Sequence, residues 1–268
     1  VTGLAEAAAA LLGGSLKSVE PLPGGDLSQI LRIRLDDGRS AVVKSGPAPR
    51  REARMLEALA AAGAPAPAVL AVDGTVLVLE LLPAGGSLDG AWAALGTVLA
   101  RLHGATAGRY GWTEDYAFGP VAIPNGWSDD WPAFWAERRL LADVADLPAA
   151  LGRRLEALAG GLADRLPRRP PPALLHGDLW GGNVLVEGNR VSDLIDPACY
   201  HGHGEVDVAM LGLFGRPGPA FFETYGALPP GQQERLAIYR LWPALVHLRL
   251  FGAGYRPLVE RLLETLGS

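Results

Sequence analysis

The chain has 268 residues, 49% hydrophobic and 20% charged, a composition that builds a folded core rather than a disordered chain. A net charge of −5 without a basic stripe argues against nucleic acid as a partner, and apolar runs such as residues 91–100 are too short and interrupted to span a membrane. One cysteine, Cys199, excludes an intramolecular disulfide and a cysteine-cluster metal site; with no basic stretch ahead of an apolar one in residues 1–12, the expectation is a cytoplasmic protein of open oligomeric state.

An Ala-rich helix is expected over residues 4–12, then short strands at 16–21, 29–35 and 41–44. Asp37-Gly38 is a hairpin signal between the last two. Between the first two lies Leu22-Pro23-Gly24-Gly25-Asp26, where Gly24 and Gly25 would let backbone N–H groups approach a phosphate. Gly-Gly turns are also common without a ligand. No G-x-x-x-x-G-K-[ST] motif is present, so a P-loop NTPase is not supported. Lys44 ends the third strand. A helix over residues 50–62 stops at Gly63 and Pro65. On it, Glu52 shares a face with Leu56 and Leu59, whereas Glu57 lies about 140° away. A carboxylate on the stripe facing the sheet needs a cation, which predicts a Lys44–Glu52 ion pair that would set Lys44 on nucleotide phosphates.

Strands at residues 69–72 and 76–81 flank Asp73-Gly74, and residues 83–86 read as a hinge. The sheet-rich part is therefore assigned to residues 1–82 and a mainly helical part to residues 83–268. Helical periodicity marks residues 88–103, 129–144 and 151–166, followed by a proline-rich loop at 168–172. Trp127, Trp131 and Trp135 fall at steps of four, one stripe if the helix starts that early, with core packing as the plain reading of at least two. Arg138 and Arg139 suit either the helix end or a substrate group; Arg138 is kept as a substrate-binding candidate.

Residues 174–186 read LLHGDLWGGNVLV and carry the chemistry. Asp178 sits in a Gly-bearing loop, Asn183 ends it ahead of a short apolar strand, and a second apolar stretch at 191–195 leads to Asp196. A base, an amide oxygen and a carboxylate in this pattern are what Mg²⁺-assisted phosphoryl transfer requires. Asp178 is the candidate base, and Asn183 with Asp196 the candidate ligands of Mg²⁺. Trp180, between base and ligand in the chain, offers an aromatic face to a sugar or an amine. Asp193 is expected to face solvent.

The order His-Gly-Asp-x-x-x-x-Asn then Ile-Asp-Pro resembles phosphotransferases of the protein-kinase-like fold that act on small molecules. His176-Gly177-Asp178-Leu179-Trp180-Gly181-Gly182-Asn183, followed by Ile195-Asp196-Pro197 and Tyr200-His201-Gly202-His203-Gly204-Glu205-Val206-Asp207, is similar to the fructosamine/ketosamine kinase family. Leu22-Pro23-Gly24-Gly25-Asp26, Trp131-Pro132-Ala133-Phe134-Trp135 and His247-x-x-Leu250-Phe251-Gly252 extend the match over nearly the whole chain. Gly204, where a basic residue is common, and Pro243-Ala244-Leu245-Val246 depart from the pattern. The resemblance implies an α+β, bilobal kinase-like fold with a small antiparallel-sheet lobe bearing one helix and a larger helical lobe. It implies ATP with Mg²⁺, bound near Gly24, Gly25, Lys44, Glu52 and a hinge segment at Glu80 and Leu82. His176 would hold its loop and Asp207 would brace it. The reaction implied is phosphorylation of the 3-hydroxyl of a ketoamine, small or protein-bound, leading to release of the amine. An aminoglycoside- or choline-type kinase is the alternative enzyme, and a nucleotide-binding scaffold the alternative of another class.

Overall fold

The structure, a computed structural model, describes residues 2–23, 28–83 and 85–268, so the turn with Gly24 and Gly25 lies outside the described residues. Two compact units are formed: Val1–Ala91 with Asn183–Pro197, and Trp92–Gly182 with Ala198–Ser268.

The first unit begins with α1 (Thr2–Leu11), β1 (Leu16–Pro21), β2 (Ile30–Leu35), β3 (Ser40–Ser45), α2 (Pro49–Ala61), β4 (Val69–Val72) and β5 (Val76–Glu80). Its five strands form an antiparallel sheet in the order β1-β2-β3-β5-β4. Alternation along β5 assigns the two faces. Val76 and Val78 pack with Ala5, Ala8 and Ala9 of α1, while Leu77 and Leu79 pack with Ala53 and Leu56 of α2. Pro49 opens α2 at a position whose N–H needs no partner, and the Ala64 N–H closes it on Leu59 O at 3.0 Å.

The second unit starts with α3 (Trp92–Gly104), preceded by a short 3₁₀ turn (Leu88–Gly90) that Ser87 caps. There follow β6 (Tyr116–Phe118), β7 (Val121–Ile123), α4 (Trp131–Trp135), α5 (Ala149–Gly160), α6 (Leu162–Arg165) and β8 (Ala173–Leu175). The chain then returns to the first unit as a hairpin of β9 (Val184–Glu187) and β10 (Arg190–Leu194). It ends in the second unit with β11 (Tyr200–Gly202), α7 (Glu205–Phe214), α8 (Pro219–Tyr225), α9 (Gln232–Phe251) and α10 (Arg256–Thr265). A continuous core of Trp131, Phe134, Trp135, Leu155, Tyr200, Ile238, Leu241 and Leu263 fills this unit.

The division differs from the expected break at residues 82 and 83. Residues 83–91 stay with the sheet, and residues 183–197 join it from far along the chain, because backbone bonds tie them there. Gly86 N–H donates to Val186 O at 2.8 Å, and Leu194 N–H donates to Pro65 O at 2.9 Å. The helix expected over 129–144 is also shorter. Asp130 caps it, its carboxylate accepting the Ala133 N–H at 3.0 Å, and a π-helical turn (Ala136–Leu140) ends it. Among the described residues no helix is long and apolar enough to cross a membrane.

Candidate active site

Lys44 pairs with Leu77 across the sheet and so lies on the face that α2 covers. Glu52, on the buried face of α2 with Leu56 and Leu59, meets it there. The Lys44 Nζ lies 2.7 Å from Glu52 Oε1 and 2.6 Å from Asp196 Oδ1. Burial opposes the charge on Lys44, but the two carboxylates outweigh it and hold its pKa above the ordinary value. Asp196 follows β10 with φ +56°, the single non-glycine residue at positive φ among those described. Such a backbone costs of order 1 kcal/mol and persists where the surroundings demand it. Ile195 N–H donates to Asn183 O at 3.1 Å, which ties the Asn183 backbone to the residue before Asp196.

Among the described residues no three of His, Cys, Asp or Glu gather as a metal cluster. Mg²⁺ does not need one, since it is held through one or two protein oxygens, with water and phosphate completing its shell. Asn183 and Asp196 fit that requirement: both offer oxygen, and the Asp196 side chain is one-third exposed, leaving lone pairs open beyond Lys44. Glu80, expected near the adenine, accepts the Ala68 N–H at 2.9 Å through its carboxylate, and Leu82 lies past the end of β5.

Asp193 does not face solvent. A bulge at Ser192 shifts the β9–β10 register so that Asp193 pairs with Leu185, and its residue is 6% exposed. Burial, with the Glu80 charge adding to it, pushes its carboxyl up to about 6.

In the second unit β8 runs into the loop of His176, Gly177 and Asp178. Gly177 has φ +82°, and a Cβ there would lie 2.0 Å from Ala198 O, so only glycine fits. Ala198 N–H donates to His176 O at 2.8 Å and fixes the crossing. His176 is fully buried, its Nδ1 accepting the Asp178 N–H at 3.3 Å, so the ring is turned into its own loop. Asp207, in the first turn of α7, accepts the N–H groups of His176 at 2.8 Å and Gly177 at 3.0 Å. Burial alone would raise its carboxyl, but the hydrogen bond from His103 and the loop N–H outweigh that and hold it below the usual range. His103, at the end of α3, has little signal in the sequence beyond a histidine closing an apolar helical stripe.

Trp180 is 43% exposed, with its indole lying over Gly182. Trp131 and Trp135 are fully buried, whereas Trp127 precedes α4 and stacks on His201 with ring centroids 6.1 Å apart. Arg138 lies beside Gly126, partly exposed. Its neighbour Arg139 is core, 3% exposed, with its guanidinium 4.1 Å from the Tyr200 ring centre and donating to Asn125 Oδ1 at 2.8 Å. Cys199 is buried, and burial followed by the Asp207 charge pushes its thiol well up, which makes it a poor nucleophile.

A model of the fructosamine kinase family matches residues 6–267 of the chain. A Synechocystis protein assigned as a ketoamine kinase is 38% identical over 203 residues, 70% of this chain and 66% of that protein. The crystal structure of a Thermobifida fusca protein assigned as a fructosamine-3-kinase superposes with a TM-score of 0.89 at 32% identity, covering 99% of each chain. Macrolide 2′-phosphotransferase from Brachybacterium faecium, 21% identical, superposes at 0.65 over 98% of each chain and shares the fold. That fold is the α+β, protein-kinase-like one expected from the HGD and IDP motifs.

Proposed function

Because the chain belongs to the fructosamine kinase family, we propose that it is an ATP-dependent kinase acting on the sugar 3-hydroxyl of a ketoamine, the adduct of a sugar with an amine. The observation that carries this reading is the buried contact of Lys44 with both Glu52 and Asp196. A lysine held between two carboxylates on a sheet is oriented to meet phosphate oxygens. Asp178 takes the hydroxyl proton as the sugar oxygen forms its bond to the γ-phosphorus and ADP leaves. Asn183 and Asp196 are the residues that would hold Mg²⁺, which neutralises charge on the phosphates when bound. Trp180, half-exposed two residues after Asp178, takes the sugar or amine by stacking, and Arg138 is a second candidate contact. Phosphorylation of such an adduct prepares it for breakdown and release of the amine, a repair of glycated amines or proteins. The reducing cytoplasm is the compartment that a single buried cysteine suits.

The test is ATP consumption in the presence of Mg²⁺ with a fructosyl- or ribulosyl-amine, an aminoglycoside and choline side by side. Turnover of the ketoamine is expected. Robust turnover of the aminoglycoside or choline with none of either ketoamine would replace this reading by the alternative kinase.

A further inference from the structure

Three helices of the second unit bring together a polar chain that the reaction above does not use. Tyr225 ends α8, His103 lies in the last turn of α3, and Asp207 lies in the first turn of α7. Tyr225 Oη is 2.9 Å from His103 Nδ1, and His103 Nε2 is 3.1 Å from Asp207 Oδ2. Asp207 in turn accepts the N–H groups of His176 and Gly177, the two residues before Asp178. The side chains of His103 and Asp207 are 8% and 1% exposed.

We propose that Tyr225 is a positioning residue: by donating to His103 Nδ1 it fixes the ring tautomer that binds Asp207, and Asp207 then holds the backbone that aims Asp178. Its bearing on catalysis rests on the function proposed above; the hydrogen-bond chain does not. An ionised carboxylate only accepts, so His103 Nε2 carries the proton shared with Asp207. In a neutral ring Nδ1 is then a bare acceptor, buried, and in need of a donor. The Tyr225 hydroxyl supplies it. Burial, then the Asp207 and Glu205 charges, push that hydroxyl's pKa up, so it keeps its proton. The neighbouring His203 does not compete, because its Nδ1 is 2.8 Å from Tyr239 Oη. Burial, then the Arg235 charge, also push His203 down to about 3 and keep it neutral. Gly204 makes the contact possible. A Cβ at that position would lie 2.8 Å from His103 Nδ1 and 3.2 Å from Tyr225 Oη.

The experiment uses the full chain with ¹⁵N-labelled histidine, read by NMR, with amide hydrogen exchange and kinetics on the same samples. In the unaltered protein His103 Nδ1 is expected as a bare accepting nitrogen and Nε2 as a protonated one. In Tyr225→Phe the His103 resonances should move, and exchange at His176 and Gly177 should rise. The kcat should fall by roughly threefold to tenfold, the scale of one neutral buried hydrogen bond, with both KM values within about twofold. Gly204→Ala keeps the hydroxyl but crowds the contact, and should reproduce the pattern; it decides the matter if Tyr225→Phe does not fold. A lower melting temperature with unmoved His103 resonances and unchanged loop exchange would overturn the proposal, as would an unaltered His103 protonated on both nitrogens. If the unaltered chain turns over no ketoamine, the proposed function fails, while resonances and exchange still decide the role of Tyr225.

Discussion

Lys44 shares one ammonium between two carboxylates, and that sharing governs how its variants should behave. Its side chain and that of Glu52 are 10% and 6% exposed, so removing either leaves a buried charge without its main partner. Lys44→Met and Glu52→Ala should each destabilise the protein by about 3 kcal/mol and raise the KM for ATP. The double variant should lose at least about 1 kcal/mol less than the sum, since the two residues act as one unit. Urea unfolding of all three variants measures this, and additive losses would dissolve the pair. Asp178→Asn removes the base but no nucleotide contact, so kcat should fall by about a hundredfold or more with ATP affinity kept. Retained kcat would end its assignment as the base. Trp180→Ala should lower kcat/KM for the ketoamine by about 1–3 kcal/mol and leave the KM for ATP near its original value. The opposite split would make Trp180 a packing residue. The Lys44–Glu52 contact could be read from helical spacing because one face of α2 carries a carboxylate among leucines. That Asp196 joins it could not, since 152 residues separate it from Lys44 and no periodicity links them.

The elements were most legible where pattern and punctuation agree. The strands of the first sheet and the end of α2 at Gly63 follow from alternation and from glycine and proline placement. Two features escaped because one residue overrides the pattern. Asp130 caps α4 and Trp131 opens it, so the helix starts later than expected and the condition for a stripe that includes Trp127 is not met. Ser192 bulges β10 and buries Asp193, which a regular hairpin reading left in solvent. The second of these has a pH signature. An acid whose folded pKa is raised from about 4 to about 6 binds more protons folded than unfolded in that window, so stability falls as pH rises through it. Asp193→Asn should therefore stabilise the protein above pH 6 by about 1 kcal/mol, below the full linkage value because solvent screens a strand in a two-stranded hairpin. Below pH 4 the variant should gain nothing. Melting temperatures across pH 4–8 test this, and a gain that is constant with pH would refute the assignment.

For the molecule as a whole, the order of residues along the chain does not match the order of its cores. Proline and glycine at residues 83–86 suggest a hinge in the sequence, whereas the first unit runs on to Ala91, and nothing local marks residues 183–197 as part of it. Their membership rests on bonds to Gly86 and Pro65, partners about a hundred residues away. The two units have separate cores, so each should open as its own cooperative group of amides. Leu56→Ala empties a buried site between α2 and the sheet and should cost about 2–5 kcal/mol in the first unit. Leu155→Ala should do the same within the second. Native-state hydrogen exchange then tells which unit owns the returning hairpin. With Leu56→Ala, the amides of β9 and β10 should lose protection together with those of β3 and β5, while β8 and β11, their near neighbours in sequence, keep theirs. If β9 and β10 instead lose protection only with Leu155→Ala, the hairpin belongs to the second unit, and Asn183 and Asp196 would have to be regarded as anchored there.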